Sequence, residues 1–213
     1  MFYFFAILLA LTQPATLPLN SLIDGVDRTF ARMKDFSADF VQIDQNPLNR
    51  GQQGSGHLYL MKPRMMRMEY KKPDEQLYVS DGKTFYSYVT ADRQARKEPV
   101  RDTIDDRIPL MLVVGRANLR GEFERFEESA GTKPVMEGTR VVRMFPRRKM
   151  DFTEFIIEVE PQSFQIRRLV AIHMDGTRSE FMFMGIQTNT GLKESLFHFT
   201  PPPGVEVLEG SGR

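Results

Sequence analysis

From Phe36 onward, apolar residues recur at every second position in short runs, and a period of two confines most of the chain to β-strands. "FSADFVQIDQ" at 36–45 is the first run; "NPLNRGQQG" at 46–54 breaks it with Pro, Asn and Gly before "SGHLYLMKP" resumes at 55–63, which predicts a hairpin with a loose tip. "RMMRMEYKKP", "EQLYVSDG" and "KTFYSYVTADRQARKEPV" follow, spaced by Pro63, Pro73 and the Asp81-Gly82 turn as in an antiparallel meander. After an interruption come "GEFERFEES", "TRVVRMFPR", "FTEFIIEVEP", "QIRRLVAIHMDG", "TRSEFMFMGI" and "SLFHFTPP". The pattern predicts about ten or eleven strands in all.

Two segments carry a helical period instead. In "LNSLIDGVDRTFARMKD" the residues Leu19, Leu22, Ile23, Val26, Phe30 and Met33 form one apolar stripe, and Ser21 with Asp24 resembles a capping box. "TIDDRIPLMLVVGRA" at 103–117 opens with Thr103, Asp105 and Asp106 and closes at Gly115, which predicts a short helix beginning near Pro109. A sheet of this size curves into a trough or barrel and must cover its concave face. These two helices are the available covers.

The length of 213 residues suits one domain. Residues 2–11, "FYFFAILLAL", have the length of a signal-peptide core and are too short for a permanent membrane span, so 1–16 reads as an export signal and 17–213 as the mature domain. Export places the protein outside the cytoplasm. With 29 basic and 28 acidic residues the formal charge is +1, which provides no field for nucleic acid. Absence of cysteine rules out disulfides, thiol catalysis, thiolate metal sites and an acylated N-terminal cysteine. His57, His173 and His198 match no metal motif, and the chain has neither a phosphate-binding loop nor a G-x-S-x-G elbow. The reading therefore assigns no catalytic residue, no metal and no cofactor. "RMFPRRKMD", with Arg143, Arg147, Arg148 and Lys149, is a basic loop that suits an acidic partner or a solvated turn.

Several strands are apolar on both faces. Leu58 and Leu60 oppose Tyr59 and Met61, Phe181 and Phe183 oppose Met182 and Met184, and Phe85, Tyr86 and Tyr88 crowd one strand. Two apolar faces need two apolar neighbours. Periodicity alone does not choose between a packed second layer, which is the commoner outcome for aromatic and Met stripes, and a lidded pocket, and 17 Phe and 13 Met at a mean hydropathy of −0.37 fit either.

Five ordered blocks decide the direction: "FSADFVQ" at 36–42, "GSGHLYLMKPRMMRMEY" at 54–70, "QLYVSDGKTFYSY" at 76–88, "IPLMLV" at 108–113 and "FTPPPGVEV" at 199–207. In these blocks the chain resembles the periplasmic outer-membrane lipoprotein carrier proteins, the LolA family, over roughly residues 20–207. The resemblance implies a mainly β fold with helices (α+β), an incomplete antiparallel β-barrel with a helical lid over a hydrophobic cavity. It implies a monomeric, non-enzymatic chaperone that takes lipoprotein acyl chains from an inner-membrane ABC-type release complex to an outer-membrane receptor. Phe30, Leu58, Leu60, Met66, Met68, Leu110, Leu112 and Val113 are its implied lipid-binding residues. Phe30, Leu112 and Val113 would exchange apolar partners as the lid moves, and Lys62 and Arg67 would bond lid carbonyls in the closed form. The chain departs from the family pattern at Lys62, where an arginine is usual, and at Met66 and Met68, where Phe and Trp are usual; lysine has no guanidinium fork. A carrier or sensor of another lipid, or a lipid-modifying enzyme using the same cavity, stands as the alternative.

Overall fold

The computed structural model describes residues 17–46, 49–100, 118–129 and 133–210. The 1–16 leader, the helix expected from Pro109, and Leu110, Leu112 and Val113 lie outside them.

A helix, α1 (Leu19–Arg32), leads into the meander β1 (Asp35–Asn46), β2 (Asn49–Met61), β3 (Met65–Lys72), β4 (Gln76–Asp81), β5 (Thr84–Val89) and β6 (Gln94–Pro99). A single-turn helix, α2 (Leu119–Glu122), precedes β7 (Phe123–Glu128), β8 (Arg140–Pro146), β9 (Phe152–Val159), β10 (Ile166–His173) and β11 (Arg178–Thr188). A 3-10 turn (Glu194–Phe197) and β12 (Glu206–Glu209) end the chain. All twelve described strands join one sheet in the order β12-β6-β5-β4-β3-β2-β1-β11-β10-β9-β8-β7. The sheet is open, with β12 and β7 at its edges.

The first eleven strands follow the period-two runs, and three expectations are corrected. "SLFHFTPP" is a 3-10 turn followed by irregular chain; its alternating Leu196, Phe197 and Phe199 mimic a strand, but the prolines that follow cannot donate to a ladder. The twelfth strand is Glu206–Glu209, and it pairs parallel with β6, so the sheet is not wholly antiparallel. The ladder also runs through residues expected in the loose hairpin loop, since Asp44 pairs with Gln52, Ile43 with Gln53 and Asn46 with Asn49. A polar, Gly-rich strand holds here because β1 is fixed from its other side by β11.

Curvature comes from bulges on both sides of the central strands. The β1–β11 register slips between Ser37 and Asp39, and the β2–β3 register slips between Ser55 and Gly56. At Gly56 a Cβ would lie 1.8 Å from the Glu69 carbonyl oxygen, so the two backbones approach as closely as only glycine permits.

On the concave side α1 presents Leu22, Ile23, Val26 and Phe30 to Phe36, Phe40, Leu58, Leu60 and Met66 in one buried cluster. Each such side chain contributes roughly 1.5–3 kcal/mol by leaving water. The helix begins after Pro18, whose φ of −58° suits a helix start and whose carbonyl accepts from Leu22 N–H. Ser21 thus falls inside the helix and forms no capping box. Asp24 pairs instead with Arg120 of α2 at 2.7 Å.

The second apolar face proves to be the convex one. After β11 the chain turns across β3 and β4, burying Phe197 completely and placing the Phe199 ring 5.2 Å from Tyr86 and 5.6 Å from Tyr88. Phe85 points the other way, into the trough, where it stacks on Tyr78. Farther along the convex side the loop before β8 caps Glu158, which is fully buried and accepts from Val135 N–H at 3.0 Å, Met136 N–H at 2.8 Å and the Arg168 guanidinium at 2.6 Å.

Candidate functional site: the covered trough

Lys62 sits just past the end of β2, where the sheet carries it to the C-terminal end of α1. Its ammonium donates to the Phe30 carbonyl and, at 3.3 Å, to the Ala31 carbonyl. These are among the last carbonyls of the helix, at the negative end of its dipole, and that of Phe30 also accepts from Met33 N–H at 3.2 Å. Burial pulls the Lys62 pKa below its ordinary value. Its backbone N–H also donates to the Lys34 carbonyl at 3.0 Å, tying it to the joint between α1 and β1.

Arg67 does not join Lys62. It projects from the convex face, with Nε 2.5 Å from Glu69 and a terminal nitrogen 3.3 Å from the Leu196 carbonyl. It therefore holds the 3-10 turn against β3, on the side away from α1. Neighbouring positions in a strand face opposite ways, so Met66 and Met68 point into the trough while Arg67 points out.

Under α1 the trough is tightly filled. Phe30, Leu58, Leu60 and Met66 are all at most 5% exposed and belong to the packed cluster. A small void of about 20 Å³ remains beside Phe30, Met33, Phe36 and Phe183. Toward the far ends of the strands the packing stops, and a cavity of about 550 Å³ opens. Met68, Tyr70, Tyr78, Phe85 and Phe181 form its apolar wall, while Gln42, Gln94, Arg96, His173 and Ser179 line its polar side. Of the residues the sequence assigned to lipid, Met68 alone among the described ones lines this cavity.

Tyr70 and Tyr78 are among the lining residues that sequence reasoning did not assign to lipid, with Phe85, Phe181 and the polar side. Tyr70 shares the face of Met68 two residues on, so the period-two pattern marked it. Its hydroxyl donates to Gln42, whose amide donates to Asp44 at 2.7 Å, and Tyr78 donates to Gln76 at 2.9 Å. Burial raises the pKa of both phenols, with Tyr78 and Asp44 raising that of Tyr70 further. The rings remain neutral and keep one edge wet and one face apolar.

The other candidate groups are largely occupied. Arg143, expected in a basic loop, lies in β8 and is paired through Nε and a terminal nitrogen with Glu154, and Arg147 donates to the carbonyls of Arg120 and Phe123. His57 bonds Asp39 at 2.8 Å, and His173 packs on Phe152. Among the described residues no three His, Cys, Asp or Glu side chains converge as metal ligands.

A curved open sheet, a helix tied across its apolar concave side and an unfilled, partly apolar cavity toward the far ends of the strands define a trough-shaped protein. The chain belongs to the outer membrane lipoprotein carrier protein LolA family, whose model matches residues 31–200. It is 28% identical over 203 residues to an outer-membrane lipoprotein carrier protein of Haemophilus influenzae (strain PittEE), spanning 93% of this chain and 92% of that one. The protein of the same description from Pasteurella multocida (strain Pm70) is 26% identical over 184 residues, with 85% and 84% covered. Among solved structures, an uncharacterized conserved protein from Thermus thermophilus shares the fold with a TM-score of 0.57 at 14% identity, covering 90% of this chain and 98% of its own.

Proposed function

We propose that this protein is a periplasmic chaperone that shields the acyl chains of lipoproteins and carries them from the inner to the outer membrane, with α1 as the cover. The observation that carries the reading is the 550 Å³ cavity at the far ends of the strands, beyond the part of the trough that α1 fills, walled by Met68, Tyr70, Tyr78, Phe85 and Phe181. Family membership supports the same cargo.

The energetics define what such a carrier has to do. Three acyl chains of about 15 methylenes each, at ~0.8 kcal/mol per methylene, cost up to about 36 kcal/mol when fully exposed to water. Noncovalent affinity saturates near roughly 18–21 kcal/mol, so a protein that shielded all of that surface would never let go. A useful carrier shields part of it. Allowing each methylene about the ~30 Å³ that a water molecule occupies in the liquid, 550 Å³ takes on the order of 18 methylenes, about one chain. Further chains need the space that α1 fills with Leu22, Ile23, Val26 and Phe30.

In this reading α1 leaves the trough as chains enter and returns as they leave, and its apolar stripe exchanges one set of oily contacts for another. Lys62 favours the closed state through the Phe30 and Ala31 carbonyls. On the family resemblance we also assign acyl-chain binding to Leu110, Leu112 and Val113, and export to residues 1–16. The chain works as a monomer without a cofactor, loaded by an inner-membrane ABC-type release complex and unloaded at an outer-membrane receptor. Its own chemistry provides no energy source, so the direction of transfer comes from those partners.

The test is lipoprotein transfer from inner-membrane vesicles to acceptor membranes. Lys62→Leu is expected to load readily and deliver poorly, and Lys62→Arg to behave like the parent chain. Unchanged loading and delivery in Lys62→Leu removes the role given to Lys62. Native mass spectrometry of protein purified from its periplasm tests the function itself; molecules free of acylated peptides would overturn it.

A further inference from the structure

Two locally unfavourable choices meet halfway along α1. Gly25 lies inside a 14-residue helix, where alanine is the better former. Phe164, in the turn between β9 and β10, has a φ of +57°, which a bulky L-residue rarely adopts. One contact accounts for both. A Cβ on Gly25 would lie 2.1 Å from Phe164 Cδ1 and 2.2 Å from Cε1, so the ring fills the space where any other helical residue carries its side chain. The turn is built to hold that ring in place: Phe164 N–H donates to the Glu160 carbonyl at 2.8 Å, Glu160 N–H to the Gln165 carbonyl at 3.0 Å, and Gln165 N–H to Ser163 Oγ at 3.2 Å.

We infer that Phe164 seated on Gly25 is the latch that keeps α1 in the trough, while Lys62 acts at the hinge. This rests on the reading of α1 as the cover. The helix is continuous with β1 through Met33 and Lys34, so opening must pivot there. Lys62 grips the carbonyls of Phe30 and Ala31 and, through its own N–H, the carbonyl of Lys34, all close to that pivot. At 1.5 Å rise per residue, Gly25 stands about 12 Å from Met33 and Ala31 about 3 Å. A given rotation therefore moves Gly25 about four times as far as Ala31. The Phe164 contact breaks at angles that the Lys62 hydrogen bonds tolerate. The Asp24–Arg120 pair lies on the same half of the helix, but with side chains 45% and 43% exposed it is too well solvated to decide closure.

Phe164 is thus a positioning residue, and its test is hydrogen exchange of the α1 amides in the full chain, with the β1–β11 amides as an internal check on the sheet. Phe164→Ala is expected to speed exchange across Leu22–Thr29 by on the order of ten- to a hundredfold, as for loss of a partly buried aromatic contact. Gly25→Ala should do the same by wedging the helix off the ring. The double variant should exchange more slowly than either single one, because the new methyl occupies the vacated socket. Should Gly25→Ala not fold, Phe164→Leu carries the test, since it partly refills the socket and should restore protection relative to Phe164→Ala. Unchanged α1 exchange in Phe164→Ala, or additive opening in the double variant, overturns the latch. Uptake of cis-parinaric acid, a fluorescent long-chain fatty acid, is followed in parallel; a parent chain that takes up none removes the carrier reading, whatever the exchange of α1 shows.

Discussion

Asp35 sits at the joint where α1 becomes β1, and its carboxylate does for the C-terminal turn what a capping residue does for a helix. It accepts from Thr190 N–H at 2.7 Å, Thr190 Oγ1 at 3.1 Å and Gly191 N–H at 2.9 Å, while being only 5% exposed. Burial pushes its pKa up, and the hydrogen bonds from Thr190 and Gly191 outweigh burial and leave it below the ordinary carboxylate value. A pKa lower in the folded than in the unfolded chain means that the stabilisation is complete above the unfolded value of about 4 and is lost as pH falls through the folded value. Asp35→Ala should therefore cost about 1–3 kcal/mol at pH 7, the scale of leaving buried donors unpaired, and the difference from the parent chain should shrink below about pH 4. Urea unfolding at pH 7 and at pH 3 measures both; an undiminished difference at pH 3 would refute the charge-based account. Period and composition did not reveal this residue, because its partners lie 155 and 156 positions away.

At the scale of elements, the segment after β11 shows what a pattern conveys and what it hides. The alternating Phe197 and Phe199 announced an apolar face, and that much was right, since Phe197 is fully buried and Phe199 packs on Tyr86 and Tyr88. The segment is nonetheless no strand, because alternation records which side chains are buried and leaves open whether the backbone is paired. The crowding of Phe85, Tyr86 and Tyr88 has the same origin: one ring faces the trough and two meet the C-terminal segment. The trough lining was legible as far as Met68 and the alternation that places Tyr70 beside it. Which part of the apolar face is packed and which is empty depends on where α1 lies, and no local pattern encodes that. Phe197→Ala should cost about 3–5 kcal/mol, as for a fully buried aromatic ring, read as a shift of the urea midpoint. Arg67→Ala, which frees the Leu196 carbonyl on the same turn, should cost less and leave fatty-acid uptake unchanged. Impaired uptake in Arg67→Ala would place that residue back at the cavity.

For the whole molecule, an open sheet is what allows a core to be exchanged for a guest. A closed barrel of this size would have to break strand pairs to admit a second chain, whereas here, among the described residues, the trough is covered by one helix joined to the sheet at Met33 and Lys34. In the proposed opening the strand ladder from β6 to β7 need not change, because its pairings are made between strands and not with α1. Capacity should then fall into two regimes. A single-chain ligand fits the existing 550 Å³ and should bind without disturbing α1. A diacyl or triacyl lipopeptide should bind only as α1 leaves. Hydrogen exchange of the α1 amides distinguishes the two, with protection retained under saturating fatty acid and lost under saturating diacyl lipopeptide, while the β1–β11 amides remain protected in both. If α1 stays protected with two chains bound, the second chain lies somewhere other than the trough, and the helix is structural rather than a cover.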